Sequence, residues 1–130
     1  MYEKTTQGVR VSVRPEYRDD QSNPERDYYV WAYHVEIRNE GREPLTLKTR
    51  FWRITDARGR VQEVRGAGVA GEQPRLAPGE RFSYTSGTPL RTPSGFMSGA
   101  YRMARDDGTL IEVEIPAFPL DLPDARGVLN

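Results

Sequence analysis

Residues 65–74 read Arg-Gly-Ala-Gly-Val-Ala-Gly-Glu-Gln-Pro, which sets Gly66, Gly68 and Gly71 in a G-x-G-x-x-G frame and then denies it the helix that such a frame usually opens. Pro74 and Pro78 occupy the helix slot, and a proline inside a helix removes one hydrogen bond and clashes with the preceding turn. A dinucleotide site needs a strand, the glycine turn, a helix N-terminus for the pyrophosphate and an acidic residue about twenty positions on. Here the residue at that spacing is Arg91. A Walker A loop fails as well, because no Lys-Ser or Lys-Thr follows the glycines. The frame instead belongs to a chain of strands and turns.

Period-two alternation runs through the rest of the sequence. Val9, Val11 and Val13 alternate with Arg10, Ser12 and Arg14; Tyr29, Trp31, Tyr33, Val35 and Ile37 stand opposite Ala32, His34, Glu36 and Arg38. Pro15 to Asp27 reads as a polar loop between these two strands. Leu45 and Leu47 open a third strand, and the large residues then move to the other parity at Trp52 and Ile54, which predicts a bulge or a change of sheet. Asp56-Ala57-Arg58-Gly59 is a turn that returns the chain as Val61 to Arg65, so the glycine loop hangs from a strand. Pro78-Gly79 precedes a strand with Phe82 and Tyr84. Met97, Gly99, Tyr101 and Met103 pair through Asp106-Asp107-Gly108 with Ile111, Val113 and Ile115. From Pro116 the chain is too rich in proline for a central strand, so it should lie along an edge or trail off.

No stretch shows a helical stripe, and ten prolines leave little room for one. The expectation is an all-β fold, an immunoglobulin-like or fibronectin-III-like β-sandwich of about seven or more antiparallel strands. At 130 residues it is one domain, residues 1–130, with tails at about 1–8 and about 119–130.

Composition narrows the chemistry. Lys+Arg and Asp+Glu are both 19, so no net field steers the protein toward nucleic acid or acidic lipid. The absence of cysteine excludes a disulfide framework, a thiolate metal site and a cysteine nucleophile. The first residues lack an apolar leader core and no run is long enough to span a bilayer as a helix, so the sequence reads as a cytoplasmic protein. The lone His34 has four serines to choose from, Ser83, Ser86, Ser94 and Ser98, but none stands in a nucleophile-elbow context; it reads as a cross-strand residue. Asp19-Asp20, Asp106-Asp107 and Glu112/Glu114 read as turns and a solvated strand face. No catalytic residue, metal ligand set or cofactor is assigned.

Two binding readings remain. The N–H groups of Gly66, Gly68 and Gly71, helped by Arg65 or Arg75, suit a nest for a small anion such as pyrophosphate or a nucleotide; the plainer reading is a connection that needs glycine for positive φ. Tyr28, Tyr29 and Trp31 put aromatic surface on both parities of one strand, in keeping with a protein-contact surface, unless the sandwich covers both faces.

Identity and spacing over nearly the whole chain then carry a resemblance. Gly66 to Pro74, Leu76-Ala-Pro-Gly-Glu80, Phe82 to Gly87, Gly95 to Tyr101, Ile115 to Phe118, and the earlier Tyr29 to His34 and Phe51 to Asp56 resemble the ApaG family. The resemblance implies a bacterial, cytosolic fibronectin-III-like β-sandwich that often forms dimers. It also implies a module that recurs in eukaryotic F-box and polymerase-delta-interacting proteins as an interaction domain, and a family label of cobalt and magnesium efflux. It brings no catalytic residue. The function expected on both counts is a non-catalytic module for a protein partner or a homodimer, with small-anion binding at residues 66–71 as the alternative.

Overall fold

The computed structural model describes residues 1–123. Among the described residues nine strands make two antiparallel sheets: β1 (Tyr2–Thr6), β2 (Val9–Tyr17), β3 (Tyr29–Asn39), β4 (Leu45–Asp56), β5 (Val61–Ala67), β6 (Arg75–Leu76), β7 (Arg81–Leu90), β8 (Gly95–Arg105) and β9 (Leu110–Leu120). The first sheet has the order β1-β2-β3-β7, and the second has β5-β4-β8-β9 with β6 beside β4. Among the described residues the only helical pieces are single 3₁₀ turns at Asp19–Gln21 and Pro24–Arg26.

The alternation dictates how the sheets face each other. Val9, Val11 and Val13 from β2 and Trp31, Tyr33, Val35 and Ile37 from β3 meet Leu45, Leu47, Trp52 and Ile54 from β4 and Met97, Tyr101 and Met103 from β8. Tyr33, Trp52 and Phe118 form the aromatic centre, with ring centroids 5.0 to 6.3 Å apart. Burying a side chain of this size contributes about 1.5–3 kcal/mol, so a core of this extent holds the fold without a staple.

The parity change in β4 is a bulge. Leu47 pairs with Met103 and Thr49 with Arg102, leaving Lys48 as the extra residue, and beyond it Trp52 and Ile54 face the core in place of odd-numbered positions. A second irregularity lies in β9, where Met97 pairs with Phe118 but Gly99 with Ile115. It absorbs Pro116 on an edge strand, which is where a proline is tolerated.

Three expectations need correction. Residues 1–8 are not a tail, because Tyr2 to Thr6 pair with Val13 to Val9 and make the edge of the first sheet. Pro15 to Asp27 is not wholly loop: β2 continues to Tyr17, and Pro15, opposite Tyr33, is accommodated because β1 has already ended and no neighbour on that side needs its missing N–H. At the other end, β9 runs through Pro119 and Leu120; the remainder of the expected tail from residue 124 lies outside the described residues.

The turns are tied down by one buried amide. Asn39 donates through Nδ2 to the carbonyls of Glu43 at 2.8 Å and Leu76 at 2.9 Å, and its Oδ1 accepts from the Gly41 N–H at 3.0 Å. Its backbone N–H and carbonyl bond Glu80 and Gly79. A buried polar side chain satisfied in this way fixes three chain segments at once.

Candidate functional site

The glycine segment bridges β5 and β6, which share one edge of β4. Its local structure is a small hairpin. Val69 and Glu72 exchange backbone hydrogen bonds, each 2.8 Å, around Ala70 and Gly71, whose φ values are 49° and 78°. Two successive positive φ values are those of a type I′ turn, which explains Gly71. The Gly68 N–H donates to the Lys48 carbonyl at 2.9 Å, while the Leu47 N–H donates to Pro74 and the Gln73 side chain to Lys48. The loop thereby closes over the β4 bulge. Gly68, at φ 62°, has no room for a side chain, since a Cβ would sit 2.2 Å from the Glu72 carbonyl oxygen. Between the glycines Val69 is fully buried and plugs into the core.

Gly66 serves a different purpose. Its φ is not positive, but a Cβ there would lie 2.8 Å from the Arg50 guanidinium. Arg50 shares the inward parity of Trp52 and Ile54 and donates through Nη1 to the carbonyls of Ala67 and Gly68, each at 3.0 Å. Near it, burial pushes the phenols of Tyr33, Tyr84 and Tyr101 up from their ordinary value, and the Tyr84 and Tyr101 hydroxyls bond each other across the two sheets. Neither Val69 nor Arg50 stood out in the sequence. The single branched residue in the glycine frame was the available sign for Val69; for Arg50, only the parity change placed it on the inner face.

The five residues expected around an anion do not converge. Arg65 points to the outer face of the second sheet, its guanidinium carbon 4.3 Å from the centroid of Phe51. Arg75 on β6 forms a two-nitrogen ion pair with Asp106, the shorter contact 2.6 Å. That bond holds the Asp106 carboxyl below its usual range. The two arginines line different hollows. Arg65 and the Gly66 backbone border one of about 520 Å³, together with Thr49, Phe51, Ala100 and Arg102. Glu112, opposite Arg102 across the sheet, closes it.

The expected aromatic contact surface is also redistributed. Trp31 is 1% exposed and donates its indole N–H to the Asp121 carbonyl, and Tyr29 is 9% exposed; both belong to the core, and only Tyr28, at 43%, is open. The sandwich covers both faces of this part of β3, because the Arg18–Ser22 turn folds over Val30. Exposed apolar groups gather elsewhere. On the outer face of the second sheet the register aligns Val61, Thr55, Phe96 and Pro119 in one row across β5, β4, β8 and β9. Val61 is 53% exposed and Phe96 49%. Toward the far end of the sheet come the Arg53–Glu63 pair and then Arg65 over Phe51.

The outer face of the first sheet differs. His34 lies there with Nδ1 2.8 Å from Thr85 Oγ1 and Nε2 2.8 Å from Glu16, so neither ring nitrogen is bonded to a serine. The bond to His34 lowers the Glu16 pKa. Glu3, Ser12, Arg14, Glu36 and Ser83 lie on this face beside the exposed Met1. Of the acidic pairs, Asp107 accepts from the Thr109 N–H, and Glu114 pairs with Lys4. No three His, Asp or Glu side chains are grouped to hold a cation among the described residues, and no described helix is long and apolar enough to cross a membrane.

Comparison with known proteins places the chain. The ApaG domain model matches residues 19–105. The chain is 62% identical to Protein ApaG of Rhodospirillum centenum and 56% identical to Protein ApaG of Parvibaculum lavamentivorans, in each case over 130 residues and the full length of both proteins. The crystal structure of an ApaA protein from Bordetella pertussis superposes with a TM-score of 0.86 at 49% identity, covering 94% of this chain and 96% of that one. The chain belongs to the ApaG family.

Proposed function

We propose that this protein is a non-catalytic binding module that docks a protein partner on the outer face of the β5-β4-β8-β9 sheet. The observation that carries the reading is the row of Val61, Thr55, Phe96 and Pro119 across four strands, in which Val61 and Phe96 are exposed and Thr55 and Pro119 half-buried, flanked by Phe51, Arg65 and the Arg53–Glu63 pair. Apolar and aromatic anchors with arginine at their border are what protein contact surfaces enrich. The opposite face carries mainly charged and hydroxyl side chains, with Met1 beside them. His34, the residue best suited to acid–base work, has both nitrogens engaged by Thr85 and Glu16, which favours a structural role for it. The family's association with cobalt and magnesium efflux then enters through the partner, since one histidine and no cysteine are a poor ligand set for a dedicated cobalt site. Phe96→Asp and Val61→Asp should each abolish capture of the partner that the unaltered protein retains, while a charge at the exposed Ser83 on the other face leaves capture intact; equal capture by all three variants would reject this face.

A second reading has its own observation. Arg102 forms no ion pair among the described residues and borders the same hollow as Arg65 and Gly66, so a small anion would be held by guanidinium groups there. Amide shift mapping with pyrophosphate tests it. Perturbations confined to residues 65–68 and 100–102 support the reading, and an unchanged spectrum ends it.

A further inference from the structure

The outward positions of β8 make a depression in the face assigned above to the partner. Between Phe96 and Arg102 they are Ser98 and Ala100, both small and half-buried. The strands on either side present larger groups. On β4 Arg53 stands opposite Ser98 and Phe51 opposite Ala100, with the Arg65 guanidinium lying over the Phe51 ring. On β9 Glu114 stands opposite Ala100 and Glu112 opposite Arg102. β8 therefore runs along the floor of a trough, two strand spacings or roughly 10 Å between the strands of its walls and, from Phe96 to Arg102, about 20 Å long. The two ends differ in character. One is apolar, where the exposed Phe96 lies in a row with Thr55 and Pro119. The other is the hollow bordered by Arg65, Arg102 and Glu112. Elsewhere on this face charge is matched, Arg53 with Glu63 and Lys4 with Glu114. At the hollow it is not. Arg65 reaches Glu63 only at 3.7 Å, and Arg102 and Glu112, although opposite in register, form no ion pair. Among the described residues one carboxylate thus faces two guanidinium groups there. A guanidinium fork of this kind takes a further carboxylate through two hydrogen bonds.

We infer that the partner presents an extended acidic segment that lies along β8, with a large apolar side chain on the Phe96 row and, six residues away, an Asp or Glu side chain on Arg102. The inference rests on the docking face proposed above and names what that face reads. An extended chain advances about 3.3 Å per residue and returns its side chains to one face at every second position, so residues six apart reach both ends of the trough while pointing into it. The side chains between them on that face meet Ser98 and Ala100, whose small size leaves room. An α-helix, about 10–12 Å across with its side chains, is too broad to settle between the walls. The carboxylate belongs to a side chain rather than a chain end. Beyond Arg102 the next outward position of β8 is Ala104, again small, so the trough does not stop at the arginine and the segment runs on. A basic residue at the same place would meet Arg65 and Arg102 as like charges, which selects against it.

Selection of random dodecapeptides displayed on phage against the immobilised full chain, followed by titration of the recovered peptides by fluorescence anisotropy, tests the inference. The expected sequences pair a large apolar residue with an Asp or Glu six positions away. Replacing that acid by its amide should weaken binding roughly tenfold, Arg102→Ala should do the same, and the two changes together should weaken it little further than either alone. Recovered peptides that lack the acid overturn the inference. So does an acidic peptide whose affinity is the same for Arg102→Ala as for the unaltered protein, and so does a library that yields no binder. If Arg102→Ala fails to fold, the amide-substituted peptide on the unaltered protein decides the matter: equal affinity for acid and amide overturns the inference. Phe96→Asp separates the two proposals. Peptides lost with Phe96→Asp but unmoved by Arg102→Ala leave the docking face standing and reject only the acidic segment, whereas peptides that survive Phe96→Asp reject both.

Discussion

Ala70 holds φ at 49° next to Gly71 at 78°, in a turn type that prefers Asn-Gly. An alanine there is strained, and Ala70→Asn should raise stability by about 0.5–1 kcal/mol, read as a higher unfolding midpoint. The two neighbouring glycines give a sharper contrast. Gly71→Ala meets open space and suffers only the backbone penalty, about 1–2 kcal/mol. Gly68→Ala adds a clash with the Glu72 carbonyl and should cost clearly more, on the order of 3 kcal/mol or beyond. Denaturant titration of the pair checks the order; a Gly68 variant as stable as the Gly71 variant would show that the loop is not clamped as described. The sequence displayed these glycines but not their separate duties. Spacing marks where side chains are missing, while Arg50 over Gly66 and Val69 in the core follow from the closing of the loop over β4.

The bulge at Lys48 decides which half of β4 faces inward. Deleting Lys48 would restore a regular ladder and turn Trp52 and Ile54, or else Leu45 and Leu47, toward solvent. The shortened chain should lose cooperative unfolding, as near-UV circular dichroism and a thermal melt would reveal; a native-like melt would mean that the strand slips at no cost. This element was legible, because large side chains change parity between Leu47 and Trp52. So were β2, β3 and the two hairpins at Asp56–Gly59 and Asp106–Gly108. The segments that escaped the reading share a physical cause: β1 has little apolar content and is held by its ladder at an edge, and the end of β2 carries a proline that only the early finish of β1 makes acceptable. The contact residues were misplaced for a related reason. Tyr29 and Trp31 obey the inward parity, and covering of the other parity depends on a turn twelve residues away in sequence from Val30 to Arg18.

Across the whole molecule, ionisable groups set opposite limits on stability. Asp106, bonded by Arg75, Asp107, bonded by Thr109, and Asp20, bonded by Arg18, all have pKa values lowered from 3.8. A carboxyl whose folded pKa is depressed binds fewer protons than in the unfolded chain, so its contribution is complete above the unfolded value and vanishes as pH falls through the folded one. The tyrosines act in the reverse sense. Burial raises Tyr84 and Tyr101 above 10.0, so their contribution is complete below that value and declines as pH rises beyond it. The unfolding midpoint should therefore be level through neutral pH, fall below about pH 4 and fall again above about pH 10. Asp106→Asn should flatten the acid limb, and Tyr101→Phe the alkaline one. A midpoint that peaks at either extreme would contradict these assignments.

The proposed function rests on a face of a sheet. A photo-crosslinking amino acid placed at Phe96, with parallel placements at Ser83 and at Ala70, all exposed, reports most directly which surface meets another protein in the cell. The account predicts one recurrent adduct from position 96 and none from the other two; adducts from Ser83 or Ala70 with none from 96 would contradict it.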